Sequence, residues 1–355
     1  MRLVLFGDGE SPHLLKWARA LAPRLELWAA SSRGFLPGFD AVLPRERRLA
    51  LGTRPQAAGG NAALLRKLPR LAAWLRRVRP DWVHAHYLTS HGTLAWLALT
   101  VFGAPGRLVG SAWGSDVLVT PRRSALQRRL LQRVLRACTL ATSDSQHMAQ
   151  RMRELGAPEL MCFPFGLEEL PPLPRHKDDA LFFANRGLEP VYAPQRVIDA
   201  FAAVAAQWPQ ARLVVANDGS LRAALAEQVR GLGLQPRVQF VGRLDAETQA
   251  EHYARARWYL SMPTSDSVSV SVLEAMAHGC LPLLSDLPAN RELVRDGDNG
   301  LIVPDGELPA LPALQSLRER ADAIARANHD WVRGHAMFAP CVQAFVARLR
   351  ELQRA

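Results

Sequence analysis

The chain has 355 residues, of which 48% are hydrophobic and 22% charged, and its formal net charge is +11. This length suggests two domains, and the composition excludes a disordered or low-complexity protein because it supplies enough apolar material for large cores. The four cysteines are scattered without metal spacing, no apolar stretch is long enough to span a bilayer, and no signal-peptide pattern follows the first residue. We therefore expect a reduced, cytoplasmic protein.

Strand and helix patterns alternate through the first half of the chain. They run, in order, as a strand RLVLFG, a helix SPHLLKWARALAP, the strands LELWAAS, DWVHAHY, RLVGSAWGSD and LATSDS, and a helix QHMAQRMRELG. This alternation predicts a parallel sheet with helices on both faces.

A segment rich in proline and charge, GLEELPPLPRHKDD, is typical of a linker, and after it the alternation starts again. The predicted fold is α/β, with two doubly wound Rossmann-like domains facing across a cleft. The predicted boundaries are 1–168 for the first domain, 169–330 for the second, and 331–355 for a final helix that returns to the first. In such sheets ligands bind at the carboxyl ends of the strands.

The positive charge is concentrated in the first half. Residues 1–170 contain 24 Lys and Arg against 12 Asp and Glu, whereas the remainder contains 20 against 21. Two stretches, LLRKLPRLAAWLRRVRP and PRRSALQRRLLQRVLRA, place apolar residues at helical spacing between arginines. Two interpretations stay open: solvated helix faces, or a surface that docks on anionic lipid head groups. Nucleic acid is not expected, because no zinc motif or aromatic-interleaved basic strand is present.

The stretch SDSVSVSVLEAMAHG lies between two predicted strands, WYLSMPT and LPLLSD, so it must contain the loop and helix that connect them. Val270, Leu273 and Ala277 then share one helix face, and the serines fall at the helix N-terminus, which suits phosphates. Asp266 precedes the helix and Glu274 lies inside it. The two carboxylates either bind sugar hydroxyls or serve as a capping aspartate and a surface glutamate.

With these residues in place, the chain resembles the family 4 retaining glycosyltransferases, which use nucleotide sugars and have the two-domain GT-B fold. Their signature is an acidic residue, seven others, and a glutamate in LEAMA, followed by a proline-containing strand. Here the signature reads Asp266, seven residues and Glu274, and it continues as CLPLLSDLPANRELVRDGDNGLIVP. The likeness is specific over about residues 180–304 and weaker over the first domain.

The resemblance implies roles for individual residues of the second domain. Glu274 would hold the donor ribose, Arg186 would bind the diphosphate, and Asp266 would bind the donor sugar. Further donor contacts implied by the resemblance are Ser267, Val268, Ser269, Val270, Gly242, Arg243 and Tyr192.

In the first domain, the resemblance implies that His86, the second histidine of HAHY, faces the reaction centre from the acceptor side. A satisfied histidine at a strand end is the other interpretation. Gly7 and Gly9 occupy the glycine loop after the first strand, and Asp116 lies in the polar loop WGSD. These three residues are candidate contacts in the acceptor region.

Two positions depart from the family pattern. Asp266 stands where glutamate is usual, and Tyr192 stands where the family has a phosphate-binding lysine. Tyrosine can donate a hydrogen bond but cannot neutralise a diphosphate. Arg196 or Arg243 could supply the missing positive charge.

The resemblance implies a retaining glycosyltransferase that acts by same-face attack. It would move a sugar from a UDP- or GDP-sugar to a glycan or lipid-linked acceptor in bacterial surface polysaccharide or glycolipid synthesis. No metal or other cofactor is expected, and the predicted location is cytoplasmic, with peripheral attachment to the inner face of the membrane.

Three alternatives are weighed beside this function. They are a nucleotide-sugar epimerase of similar fold, a non-catalytic basic docking protein, and a nicotinamide-dependent dehydrogenase. The dehydrogenase rests on GDGESP with Glu26 about twenty residues later, and it lacks the third glycine of that fingerprint.

Overall fold

The structure is a computed structural model, and it describes residues 1–53 and 62–354. The chain divides into two compact units, unit 1 (Met1–Phe163 and Ala339–Ala355) and unit 2 (Pro164–Phe338). Each unit contains one parallel sheet with helices, so the predicted α/β fold with two Rossmann-like domains is confirmed.

The strands of the described residues are β1 (Arg2–Gly7), β2 (Glu26–Ser31), β3 (Arg48–Ala50), β4 (Trp82–His86), β5 (Arg107–Ser111), β6 (Cys138–Ser143), β7 (Leu160–Cys162), β8 (Asp178–Ala184), β9 (Arg212–Ala216), β10 (Val238–Gly242), β11 (Ala256–Ser261), β12 (Leu281–Ser285) and β13 (Leu301–Val303). The α-helices are α1 (Pro12–Leu21), α2 (Ala62–Leu65), α3 (Leu68–Val78), α4 (Thr93–Thr100), α5 (Ser115–Leu118), α6 (Thr120–Arg123), α7 (Ala125–Ala137), α8 (Gln146–Glu154), α9 (Pro194–Gln207), α10 (Arg222–Gly231), α11 (Ala246–Arg255), α12 (Val270–Ala277), α13 (Pro288–Arg291), α14 (Leu311–Glu319), α15 (Ala321–His335) and α16 (Phe338–Arg354).

The sheet of unit 1 has the strand order β3-β2-β1-β4-β5-β6-β7, and its neighbouring strands are parallel. Strand β1, which lies between β2 and β4, is buried from Leu3 to Gly7. A continuous apolar run is what a strand covered by helices on both faces requires. The order reverses between β1 and β4, so the loops after these strands lie at the switch point of the sheet.

The sheet of unit 2 has the strand order β10-β9-β8-β11-β12-β13 and is also parallel. The predicted crossover helix is present as α12, between β11 and β12. Its buried face is wider than the predicted one, because α12 packs against both β12 and α15. The buried residues of α12 are Val272, Leu273, Ala275, Met276 and Ala277, whereas Val270 is half-buried.

The chain enters and leaves unit 2 at adjacent points. The amide of Leu167 donates to the carbonyl of Ala336, and the amide of Phe338 donates to the carbonyl of Leu167, each at 2.8 Å. A Cβ at Gly166 would lie 1.8 Å from the Ala336 oxygen, so this close approach requires glycine. The final helix begins at Phe338 rather than at the predicted residue 331, because Trp331 belongs to α15.

The helix α16 belongs to unit 1 although it follows unit 2 in the sequence. Its Phe345 is fully buried, with ring centroids 5.4 Å from Trp17 and 5.0 Å from His84. The core of unit 1 is therefore assembled from residues at both ends of the chain.

The two basic stretches form helices, α3 and α6–α7, whose apolar residues pack into unit 1. Arg122, Arg123, Arg128 and Arg129 are exposed, and the neighbouring Leu126 is 76% exposed. Among the helices that the structure describes, none combines the length and apolar character needed to cross a membrane.

Candidate functional site

Arg186 and Asp266 meet at the carboxyl edge of the unit 2 sheet. Arg186 follows β8 by two residues and Asp266 follows β11 by five, and these strands are parallel neighbours. The guanidinium Nη2 lies 2.6 Å from the Asp266 Oδ2, and Nη1 donates to the Ser269 Oγ at 2.6 Å. The fold thus brings together three residues that the sequence predicted as one site.

The Tyr192 ring covers the Arg186 guanidinium, with 4.3 Å between the Arg186 Cζ and the ring centroid. Burial alone would lower the pKa of Arg186, but the Asp266 carboxylate and the nearby phenols outweigh burial and raise it. The guanidinium therefore stays charged. Its Nε is buried and has no hydrogen-bond partner among the described residues, so one donor of the guanidinium is unsatisfied.

The N-terminus of α12 lies against this arginine. Ser269 is the N-cap residue, but its side chain makes no capping hydrogen bond, because its Oγ accepts from Arg186. An α-helix leaves its first amides without intrahelical partners, and their partial positive charge favours an anion. Ser267 and Val268 are buried before the cap, and the Ser267 amide donates to the Asp266 Oδ1 at 3.0 Å. Guanidinium and helix amides therefore converge on one anion-binding region.

Glu274 is not a freely solvated surface residue. It is half-buried in α12, and its Oε2 accepts from the Tyr253 hydroxyl at 3.0 Å and from the Gln249 Nε2 at 3.3 Å. Both donors belong to α11, which fixes the carboxylate one turn inside the helix that begins at the anion-binding region. This arrangement suits a carboxylate that binds the hydroxyls of a ligand.

The remaining predicted donor residues of unit 2 have different environments. Gly242 ends β10 with a φ of +72°, which favours glycine, and its carbonyl accepts from the Asn217 amide at 2.5 Å. Arg243 is exposed. Arg196 forms an ion pair with Asp305 at 3.1 Å, so in this conformation it does not take the place of the lysine that Tyr192 replaces.

His86 lies at the carboxyl end of β4 in unit 1, in a cluster of rings. Its centroid is 4.4 Å from that of His84, 5.4 Å from that of Trp17 and 5.5 Å from that of Trp113. The residue is 4% exposed, and neither ring nitrogen has a hydrogen-bond partner in the described part of the chain. Burial and the neighbouring histidines hold the pKa of His86 well below its usual value. A neutral imidazole has one donor and one acceptor nitrogen, and at His86 the described residues satisfy neither.

The predicted loop residues of unit 1 have packing roles. A Cβ on Gly7 would lie 2.6 Å from Leu14, and one on Gly9 would lie 2.4 Å from the Gly34 carbonyl. Asp116 is fully buried, and its oxygens accept from the amides of Leu88 and of Trp113 at 2.7 and 2.9 Å. Asp116 therefore shapes the loops beside His86 and is not exposed to an acceptor in this conformation.

Several site residues have no signal in the sequence. Tyr253, Asn185 and Tyr259 form buried hydrogen bonds behind Glu274, and only the fold reveals that they are adjacent. Tyr87, directly after His86, has a φ of +68°, which is rare for a residue with a side chain. Within residues 1–53 and 62–354, no group of three or more His, Cys, Asp or Glu side chains is arranged to hold a metal ion.

Two family models match the chain. The model described as "Glycosyl transferases group 1" matches residues 178–317, and the model described as "Glycosyl transferase 4-like" matches residues 2–145. The first match contains the anion-binding region and Glu274, and the second contains His86.

Curated relatives and a solved structure agree with these models. The chain is 28% identical to the phosphatidyl-myo-inositol mannosyltransferase of Mycobacterium tuberculosis, with 91% of this chain and 89% of that protein covered. It is 24% identical to the N-acetyl-alpha-D-glucosaminyl L-malate synthase of Bacillus anthracis, with 73% and 70% covered. The crystal structure of Anabaena HepE in complex with UDP superposes with a TM-score of 0.79 at 18% identity, with 99% of this chain and all of that chain covered.

Proposed function

We propose that this chain, which belongs to the glycosyltransferases of family 4 with the GT-B fold, transfers a sugar from a UDP- or GDP-sugar to a glycan or lipid-linked acceptor. The observation that carries the proposal is the group formed by Arg186, Asp266 and Ser269 at the N-terminus of α12, with Glu274 one turn inside. Cation, helix amides and carboxylates at this spacing fit a ligand that joins phosphates to sugar hydroxyls.

The donor would lie along α12. Its diphosphate would accept hydrogen bonds from Arg186 and from the first amides of the helix, and its ribose hydroxyls would donate to Glu274. Asp266 would accept from the transferred sugar. A short aspartate at this position fits its contact with Arg186, since the 2.6 Å ion pair holds the carboxylate beside the phosphate region.

In the reaction, the bond between the anomeric carbon and the diphosphate oxygen breaks, and a bond to the acceptor oxygen forms on the same face of the sugar. The acceptor proton passes to the departing phosphate. Negative charge grows on the diphosphate as the bond breaks, so fixed donors such as Arg186 and the helix amides stabilise the transition state. His86, neutral because it is buried, would position the acceptor hydroxyl.

The acceptor is proposed to be held by unit 1 at an anionic membrane surface. Two relatives support different acceptors, since their names specify phosphatidyl-myo-inositol and L-malate. The exposed arginines of α6 and α7 around Leu126 favour the lipid-linked acceptor, because basic residues with an apolar neighbour suit anionic head groups. An epimerase, a dehydrogenase and a non-catalytic docking protein are not favoured by the family matches.

The test is donor binding measured with and without Glu274. UDP-, GDP-, ADP- and CMP-sugars are screened by thermal shift, and the best nucleotide is then titrated by calorimetry into the wild type and Glu274→Ala. Loss of a charge-assisted contact is expected to weaken binding by about 2–3 kcal/mol.

Glu227→Ala is the matched control, because Glu227 is an exposed carboxylate of unit 2 in an i,i+3 pair with Arg230. The control variant is expected to bind like the wild type. Unchanged affinity in Glu274→Ala, with the fold intact by circular dichroism, would contradict the donor site.

A further inference from the structure

A chain of buried hydrogen bonds ends on Glu274. The Tyr259 hydroxyl lies 2.8 Å from the Asn185 Oδ1, the Asn185 Nδ2 lies 2.7 Å from the Tyr253 hydroxyl, and that hydroxyl lies 3.0 Å from the Glu274 Oε2. Asn185 is 5% exposed and the two tyrosines are almost fully buried. These hydrogen bonds thus connect β11, the residue after β8, and α11 to a carboxylate on α12.

The chemistry of the groups fixes the direction of every bond. An ionised carboxylate only accepts, so Tyr253 donates its single proton to Glu274. The Tyr253 oxygen must then accept from the Asn185 amide, and the Asn185 carbonyl must accept from Tyr259. Burial raises the pKa of both phenols, so both keep the protons that this pattern needs. Bonds that all point one way polarise one another and strengthen the last one.

Tyr253 also contacts the backbone of the same helix. Its hydroxyl also lies 3.2 Å from the Ser271 carbonyl, three residues before Glu274, so the one proton has two acceptors and the shorter contact, at 3.0 Å, is to Glu274. Gln249 adds a second donor to the Glu274 Oε2 at 3.3 Å. The Tyr253 hydroxyl therefore contacts both the Glu274 carboxylate and the first turn of α12, where the anion-binding region begins. Asn185 directly precedes Arg186, so the same series of hydrogen bonds connects Glu274 to the backbone next to Arg186.

We propose that Tyr253 is a positioning residue for donor recognition, which holds the Glu274 carboxylate in the orientation that accepts both ribose hydroxyls. Asn185 and Tyr259 hold Tyr253 in the donating orientation. The inference rests on the proposed function, because it requires Glu274 to bind ribose. A tyrosine that only fills the core would leave the recognition of these hydroxyls unchanged when its oxygen is removed.

The test separates recognition from stability. UDP, GDP and ADP are titrated by calorimetry, and the tightest of them is compared with its 2′,3′-dideoxy counterpart in every variant. The measured quantity is the dissociation constant of the dideoxynucleotide divided by that of the ribonucleotide, which is large when the ribose hydroxyls are recognised. Tyr253→Phe is expected to reduce this ratio by about tenfold, the size of one hydrogen bond to a charged group. Tyr259→Phe is expected to reduce it less, since it acts through Asn185.

Phe183→Leu is the matched control for packing. Phe183 is fully buried and lies edge-on to the Tyr253 ring at 5.1 Å, so this variant loosens the surroundings of the ring and keeps the hydroxyl. It is expected to lower the melting temperature and to keep the wild-type ratio. If Tyr253→Phe weakens the two nucleotides equally, or neither of them, the positioning role is overturned.

Glu274→Gln distinguishes failure of this inference from failure of the proposed function. If the wild type discriminates and only Glu274→Gln loses the discrimination, the donor site stands and the role of Tyr253 falls. If the wild type binds both nucleotides equally, the assignment of ribose to Glu274 fails, and the inference falls with it.

Discussion

Unit 1 and unit 2 share one architecture but carry opposite charge. Unit 1 contains 27 Lys and Arg against 11 Asp and Glu, whereas unit 2 contains 17 against 22. At the carboxyl edge of its sheet, however, unit 1 places neutral buried histidines, and unit 2 places the charged pair of Arg186 and Asp266. The net charge of a unit therefore does not predict whether the residues at the carboxyl edge of its sheet are charged.

The charges of the two units act over different distances. The excess of unit 1 lies on exposed helix faces, where it acts over a Debye length and weakens with salt. The positive charge at the site of unit 2 is mainly one guanidinium and the amides of one helix, which act at contact distance. Substitutions in unit 1 can then alter the long-range attraction to a charged surface, and substitutions in unit 2 can alter the short-range binding of a phosphate.

The largest effect is expected from reversing the charge of the exposed arginines of unit 1. Replacing Arg122, Arg123, Arg128 and Arg129 by Glu should weaken binding to anionic vesicles by at least about 4 kcal/mol, since each basic residue near the surface contributes roughly 1 kcal/mol. Co-sedimentation with vesicles of phosphatidylserine and phosphatidylcholine measures it. Donor affinity should stay unchanged, because the donor residues belong to unit 2.

Neutral vesicles and salt provide the controls for this prediction. Wild-type protein should pellet with anionic vesicles at low salt, less at high salt, and little with phosphatidylcholine alone. Equal recovery with neutral and anionic vesicles would leave the arginines as solvated helix faces and make a soluble acceptor the better proposal.

The next effect concerns acid stability of unit 1. Burial lowers the pKa of His84 to about 3, that of His91 to about 4 and that of His86 well below 6.5. The unfolded chain binds these protons below about pH 6.5 and the folded unit does not, so stability is full above that pH and falls as the pH drops. Burial raises the pKa of Asp116 to about 6, and this opposes the histidines because the folded carboxyl binds its proton first.

With three histidines opposed by one carboxyl, the unfolded chain binds about two more protons than the folded unit. The free energy of unfolding of unit 1 should therefore fall by about 3 kcal/mol for each pH unit between pH 6 and pH 5. Hydrogen exchange followed by mass spectrometry resolves the units, and peptides of β4 should lose protection in this range. His84→Gln should reduce the slope by about 1.4 kcal/mol per pH unit. A unit 1 whose protection is the same at pH 5 and pH 7 would contradict the buried neutral histidines.

A smaller effect is expected when Arg186 is replaced by alanine. Affinity for a nucleoside diphosphate should fall by about 2 kcal/mol more than affinity for the nucleoside, because only the former presents charge to the guanidinium. Calorimetry with both ligands gives the difference. Asp266→Asn in the Arg186→Ala background controls for the carboxylate that would otherwise lose its partner. Equal losses for both ligands would make Arg186 a structural residue and place the phosphates elsewhere.

The smallest effect is expected for Tyr192→Lys, which restores the usual cation of the family. The variant gains a charge beside the diphosphate but loses the ring that stacks on Arg186, a contact of about 0.5–1 kcal/mol. Affinity for the diphosphate should therefore stay equal or rise by about 1 kcal/mol. Tyr192→Leu removes the ring without adding charge, and it should bind more weakly than the wild type. A lysine variant weaker than the leucine variant would exclude a phosphate beside this position.

The alternation of apolar strands and amphipathic helices predicted the fold well, because parallel strands covered on both faces must be continuously apolar. It also predicted α12, since a helix has to connect β11 and β12. The width of the buried face of α12 was not predictable, because it depends on α15, which lies about fifty residues further along the chain.

The predicted site residues of unit 2 are those that stand in recognisable motifs, and they include Arg186 as well as Asp266 and Glu274. Asp266 and Glu274 lie eight residues apart in a recognisable motif, whereas Tyr253 and Asn185 reach Glu274 from two other elements. Nothing in the local sequence marks a buried tyrosine as a hydrogen-bond donor to a distant carboxylate. The buried position of Asp116 was likewise hidden, because a polar loop residue looks the same in sequence whether its carboxylate faces solvent or the backbone of its own unit.

The place of α16 in unit 1 has a consequence for synthesis on the ribosome. Unit 2 is one continuous segment, but unit 1 needs residues 339–354, which are made after it. At about 5–20 residues per second, the 175 residues of unit 2 (Pro164–Phe338) delay that helix by roughly 10–35 s. During this interval the surface that Phe345 covers on Trp17 and His84 is open in the nascent chain. A chain released after residue 338 should therefore contain a protease-resistant unit 2 beside a protease-sensitive unit 1.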